Sequence, residues 1–93
     1  MTTLKVAHIR EQGQDMIIVP LNDDFRFKPQ SEKESVTAAI QMSATRAGLA
    51  GRVVPVWDDS GRMGFLAPII WHPFFQSISL PFVWANVNRE IYV

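Results

Sequence analysis

Apolar positions in the first 21 residues predict a β-hairpin. Residues 4–10 are predicted as one strand and residues 15–21 as a second, with the turn sequence Gln12-Gly13-Gln14 between them. The second strand contains Met16-Ile17-Ile18-Val19, which is apolar at every position. Such a run is typical of a strand that is covered on both faces or lies centrally in its sheet.

The next periodic segment predicts a helix over residues 32–47. Ser31-Glu32-Lys33-Glu34 matches a capping box, in which the serine hydroxyl accepts a hydrogen bond from the Glu34 amide. Small and apolar residues then recur at helical spacing at Val36, Ala39, Ile40, Ser43, Ala44 and Ala47. Gly48 is the expected left-handed residue at the end of this helix.

A second pair of strands is predicted after the helix. Residues 52–57 form its first strand, and Pro55 cannot donate to a ladder. We therefore expect this strand to lie at a sheet edge or to carry a bulge. Asp58-Asp59-Ser60-Gly61 is a turn sequence, and residues 63–67 are the returning strand.

A second helix is predicted near residue 80. Ser79 is its expected cap, and Pro81 lies in its first turn. Apolar residues fall on one face of this helix at Leu80, Val83, Trp84, Val87 and Ile91. Residues 69–78 are predicted to be irregular or to form one short turn that begins at Pro73.

The predicted order is ββα followed by ββα, within a single domain over residues 1–93. A chain of this length is too short for a second core. The natural α+β arrangement is a four-stranded antiparallel sheet with both helices packed on one face. A β-grasp-like fold is the alternative, because it also begins with a hairpin, a helix and a strand.

Charge and cysteine content exclude several classes of protein. The chain has 9 Lys+Arg and 9 Asp+Glu, so its formal net charge is zero, whereas a general polyanion binder normally has a basic excess. The absence of cysteine excludes a disulfide framework and a zinc–thiolate site. The first residues lack the pattern of a signal peptide, so a cytoplasmic location is expected. No cofactor is expected.

The segment from Met63 to Asn88 contains no Asp, Glu, Lys or Arg. It holds six aromatic residues, which are Phe65, Trp71, Phe74, Phe75, Phe82 and Trp84. Three prolines interrupt the segment, and its longest stretch without a polar residue is far shorter than the ~20 residues that a spanning helix needs. No association with a membrane is therefore expected.

Residues 69–75 are the most unusual part of this segment, because seven bulky or ring-bearing residues follow one another without a helical or strand period. Some of these side chains must then point away from the core, and Trp and Phe at a surface are typical interface anchors. We expect a partner-binding surface made of Trp71, His72, Phe74, Phe75 and Phe82. The alternative is that residues 69–78 fold under the sheet and complete the core.

The aromatic and basic residues Phe25, Arg26, Phe27 and Lys28 suggest a second function. Alternating rings and cations are the residue mix that stacks bases and follows phosphates in single-strand binders. However, two aspartates precede the segment directly and Glu32 follows it, so the local net charge is near zero. The simpler interpretation is a loop whose two phenylalanines cover the sheet while the cations stay in water.

A third function, a small enzyme, would depend on His72. No serine lies in a nucleophile motif, and the other histidine, His8, is expected on the same side of its strand as Leu4 and Val6. The pairs Asp23-Asp24 and Asp58-Asp59 lack the further oxygen ligands of a calcium loop, so no metal site is expected.

The sequence thus favours a small non-enzymatic protein-interaction module, expected to be a homodimer, with another protein as a further partner. It would use the uncharged aromatic surface of the C-terminal half. Nucleic-acid binding is not expected. The two alternative functions are a nucleic-acid-associated protein that uses residues 25–28 and a small enzyme centred on His72.

Overall fold

One five-stranded sheet organises the computed structural model, which describes residues 3–93. The elements in chain order are β1 (Thr3–Glu11), β2 (Gln14–Pro20), α1 (Gln30–Arg46), β3 (Arg52–Asp59), β4 (Arg62–Phe65), α2 (His72–Ser77), α3 (Leu80–Ala85) and β5 (Arg89–Tyr92). Short 3₁₀ helices at Asp23–Phe27 and Ile69–Trp71 precede α1 and α2. The α+β class predicted from the sequence is confirmed.

The sheet is mixed, with the strand order β4-β3-β2-β1-β5. Strands β1 and β2, β3 and β4, and β1 and β5 pair antiparallel, whereas β2 and β3 pair parallel because α1 crosses between them. The prediction of a four-stranded, fully antiparallel sheet is therefore wrong in detail. The fifth strand was missed because Ile91 matches the helical spacing of the residues before it, although it lies in β5 opposite Leu4 of β1.

Helices cover both faces of the sheet, so the prediction that both pack on one face is also wrong. On one face, α1 contributes Ile40 and Ala44 to a core that includes Val6, Ile17 and Val19. On the other face, α2 and α3 contribute Phe75 and Val83 to a core with Ala7, Met16, Ile18, Val54 and Val56. The apolar run of β2 is buried on both faces, as its sequence predicted. The radius of gyration of 12.2 Å matches the value of about 12 Å expected for one compact domain of this length.

The two tight turns have the conformation that their sequences predict. Gln12 and Gly13 have φ values of 50° and 78°, and Ser60 and Gly61 have values of 57° and 89°. Two successive positive φ values are typical of the type I′ turn, whose twist suits a hairpin. Asp58 adds a hydrogen bond, because its Oδ1 accepts the Gly61 amide at 2.9 Å.

Pro55 lies in an internal strand with an unbroken register to β2, so neither the sheet edge nor the bulge expected from the sequence is found there. Strand β3 lies between β2 and β4, and Pro55 pairs with Val19 of β2. The Pro55 carbonyl accepts the Leu66 amide at 3.2 Å, just beyond the end of β4. The nitrogen of a residue in a strand faces the same side as its carbonyl, so the missing N–H falls where the β3–β4 ladder stops.

Side-chain amides extend the sheet at two places where a strand ends. Gln41 of α1 accepts the Val53 amide at 2.7 Å and donates to the Gly51 carbonyl at 3.1 Å. Asn88 accepts the His8 amide at 2.8 Å and donates to the His8 carbonyl at 2.9 Å, directly before β5 begins. Both side chains therefore satisfy backbone groups for which the sheet has no further strand.

The start of α1 and the end of α3 differ from the predicted boundaries. Helix α1 begins at Gln30 after Pro29 and has no side-chain cap, so the predicted capping box does not form. Helix α3 begins after Ser79, which lies at the predicted cap position but makes no side-chain cap hydrogen bond. The helix ends at Ala85, because the chain must turn back to pair with β1. Within residues 3–93, no helix is long and apolar enough to span a bilayer.

Gly48 provides a test of the end of α1. Its φ is 82°, and a Cβ built on it would meet no atom within 4 Å, so only the backbone conformation favours glycine. We expect Gly48→Val to lower the free energy of unfolding by about 1–3 kcal/mol, measured by urea denaturation. Ala50→Val is the matched control, because Ala50 is exposed and has no positive φ. Equal effects of the two substitutions would contradict this assignment.

Candidate interaction surface

Residues 63–88, which we call the uncharged layer, form most of the cover over one face of the sheet. Most of β4, all of α2 and all of α3 belong to it. Its inward side chains pack on the core that contains Phe75 and Val83, and the partly buried ones are Met63, Phe65, Ala67, Trp71, Phe74, Ile78 and Leu80. The aromatic content of this segment is thus largely used to cover β2 and β3.

The residues predicted to bind a partner do not share one environment. Phe75 is only 1% exposed, and its ring lies 5.4 Å from that of Phe65 and 5.2 Å from that of Phe74. Trp71, His72 and Phe74 are half-buried, and Phe82 is 38% exposed. Phe75 therefore belongs to the core in this chain, whereas the other four retain exposed surface.

Three exposed residues were not assigned to the surface from sequence. Ile69 and Ile70 are 83% and 82% exposed, and Trp84 is 53% exposed. Trp84 follows the buried Val83 on the six-residue helix α3, which is too short to bury more than one side. The signal that could have found the isoleucines is Pro68, which starts a 3₁₀ helix in which none of the residues is buried.

A groove of about 1160 Å³, the hairpin groove, lies beside Ile70. Its apolar lining comes from Met16, Pro68, Ile70, Trp71, Pro73 and Phe74. Its polar lining comes from Glu11 to Asp15 in the β1–β2 turn, together with Arg52 at the start of β3 and Ser77. Two of the predicted partner-binding residues, Trp71 and Phe74, therefore line a concave surface beside the most exposed isoleucines.

Both histidines make hydrogen bonds that join separate segments. Nε2 of His72 donates to the Ala67 carbonyl at 3.0 Å, and the ring lies edge-on to Phe65 with a centroid distance of 5.1 Å. Nε2 of His8 donates to the Ala50 carbonyl at 2.8 Å. These bonds hold the start of α2 and the loop before β3, which is a positioning role and needs no catalytic partner.

Among residues 3–93, no three His, Asp or Glu side chains come together to form a group that could hold a metal ion. Asp23 and Asp24 lie exposed in the first turn of the 3₁₀ helix before α1. Asp58 and Asp59 end β3, and Asp58 is used in the hairpin turn. Asp58 therefore has a structural role in the turn, and neither pair belongs to a larger group of His, Asp or Glu side chains within residues 3–93.

Residues 25–28 are divided between the core and the surface. Phe25 is buried, and its ring lies 5.1 Å from that of Trp57. Arg26 stacks on the exposed ring of Phe27 at 4.5 Å and donates to the Ser60 hydroxyl at 2.8 Å. Lys28 lies 3.9 Å from Glu32. Of the two rings, only Phe27 presents a face to an external base, and both cations have partners within the chain.

Trp57 is the centre of this part of the structure. Besides Phe25, the indole contacts Lys33, whose Nζ lies 4.9 Å from the ring centroid. The ring also covers Gly64 of β4, where any added Cβ would overlap it. The segment that resembled a nucleic-acid binder thus closes the α1 face of the sheet over a buried tryptophan.

Comparison with known proteins gives no relative from which a function could be transferred: no protein-family model, no curated protein and no solved structure matches the chain.

The contrast between Phe75 and Phe82 can be measured directly. We expect Phe75→Ala to lower the free energy of unfolding by about 3–5 kcal/mol, because it leaves a cavity under the sheet. Phe82→Ala removes the same atoms from an exposed ring and should cost less than about 1 kcal/mol. Urea denaturation at one low protein concentration keeps self-association from contributing. Similar losses for the two variants would show that the burial of α2 and α3 is assigned wrongly.

We also expect no tight binding to nucleic acid. Phe25 is buried and the formal net charge of the chain is zero, so little excess positive charge is available to neutralise phosphates. Labelled single-stranded and duplex oligonucleotides, titrated at about 150 mM salt, should give no submicromolar affinity. Tight binding that weakens steeply with salt, and that Phe27→Ala abolishes, would contradict this expectation.

Proposed function

We propose that this protein is a small non-enzymatic protein-interaction module that acts first as a homodimer. The observation that carries the proposal is the exposure of Ile69, Ile70, Phe82 and Trp84 on the uncharged layer. Large apolar side chains on a layer without charges are typical of a surface that another protein covers. The proposed setting is the cytoplasm.

The uncharged layer is packed on the sheet through its buried residues. Phe75 and Val83 are buried, so the exposure of their neighbours is not a sign that the layer is detached from the sheet. Burial of one large apolar side chain contributes about 1.5–3 kcal/mol. Covering several of these residues at once would therefore favour a complex, and the loss of translational and rotational freedom on association offsets part of this gain.

A second copy of the chain is the first partner to consider, for reasons of charge. The formal net charge is zero, so two copies do not repel each other at long range. Low net charge favours association between copies. A two-fold contact, in which the same surface is used twice, is the commonest form of such an assembly.

Sedimentation equilibrium tests the proposal. The wild-type chain should have about twice its mass of 10.5 kDa and should dissociate on dilution. The double variant Ile70→Glu and Trp84→Glu should be a folded monomer, because it places two charges on the proposed surface. A wild type that stays monomeric at high concentration would refute the proposal.

The matched control introduces the same charges elsewhere. Phe27 and Met42 are also exposed large hydrophobic residues, but they lie before β3 and outside the uncharged layer. The double variant Phe27→Glu and Met42→Glu therefore changes the net charge by the same amount. It should remain a dimer, and dissociation of this control would show that net charge, not the surface, decides the assembly.

A further inference from the structure

Ile70 projects from the protein surface directly beside the hairpin groove, which is a hollow on the same surface. Ile70 lines the groove and is nevertheless 82% exposed, and its neighbour Ile69 is 83% exposed. Trp71 and Phe74 supply half-buried rings to the lining. A two-fold axis that passes beside Ile70 would bring the projection of each copy to the hollow of the other, because such a contact uses one patch twice.

The charges of the groove are of both signs. Three charged residues line the groove. One of them is Asp15, whose Oδ1 lies 3.9 Å from Nη1 of Arg10 in the same hairpin. The other two are Glu11 and Arg52, and neither forms an ion pair with another residue of the described range 3–93. Glu11 and Arg52 are therefore available to form ion pairs across a contact between two copies, and a two-fold axis would give two such pairs.

We propose that the groove is the dimer contact, in which Ile70 of one copy inserts between the apolar lining residues of the other while Arg52 faces Glu11 of the partner subunit. The occupant is therefore a second copy of this chain. This inference rests on the proposed self-association and adds which residues meet. It assigns Trp71 and Phe74 to the receiving surface and places Phe82 and Trp84 outside the central contact.

The isoleucine is tested by single substitutions. Ile70→Glu should raise the dissociation constant of the dimer at least about tenfold, because it puts a charge into a desolvated apolar contact. Ile70→Leu should change it much less. Trp84→Glu is the comparison within the same layer and should have the smaller effect. Thermal unfolding checks that each variant is folded, as expected for side chains that are exposed in the monomer.

The charge pair is tested by a swap. Glu11→Arg and Arg52→Glu each bring like charges together across the two-fold axis, and each should weaken the dimer by about fivefold. The double variant Glu11→Arg with Arg52→Glu restores opposite charges and should recover most of the wild-type dissociation constant. Rescue of this kind is not produced by a loss of folding, which would accumulate in the double variant.

The outcomes separate this inference from the function proposed above. A wild-type dimer that Trp84→Glu dissociates, while Ile70→Glu and the charge variants leave it intact, would overturn the groove contact but not self-association. Failure of the double swap to recover the affinity lost in the single variants would overturn the Arg52–Glu11 pairing. A monomeric wild type would overturn both proposals.

Discussion

The burial of β2 on both faces is the constraint on which the other elements depend. Met16 to Val19 are apolar at every position, and side chains of successive residues in a strand point to opposite faces. Each face must therefore be removed from water by a separate layer. Helix α1 covers one face and, by crossing over, places β3 parallel to β2. The second layer has to come from the chain after β4, which explains why that segment carries so little charge.

The short helices of this second layer determine what remains outside. Helices α2 and α3 have six residues each, so each turns one side to the sheet. Phe75 and Val83 occupy the inward positions, and their neighbours Phe74, Phe82 and Trp84 are left with more exposed surface. The absence of charge, which suits the covered side, also applies to the open one. When a segment without charged residues covers a sheet with two short helices, the outer side of that layer therefore also lacks charges.

The sequence predicted those features that local chemistry decides. The turn residues Gly13 and Gly61 adopt positive φ, and α1 ends before Gly48, because these conformations depend on the residues themselves. It could not predict β5, since Ile91 fits a helical period and becomes a strand residue only where β1 offers an open edge. It also could not separate Phe74 from Phe75. Adjacent residues on a helix point about 100° apart, and only the placement of α2 on the sheet determines which ring is buried.

The pairing of β1 with β5 has a consequence for the order in which the chain folds during synthesis. Asn88 and His8, which exchange two hydrogen bonds, are 80 positions apart. Strands β1 to β3 and α1 are complete once residue 59 has emerged from the ribosome. At that stage one face of β2 and the outer edge of β1 are still exposed to water. Contacts of such long sequence separation form late, because a large loop must close first. The nascent chain therefore passes through a stage with an open strand edge and an uncovered apolar face, which is the kind of species that chaperones bind.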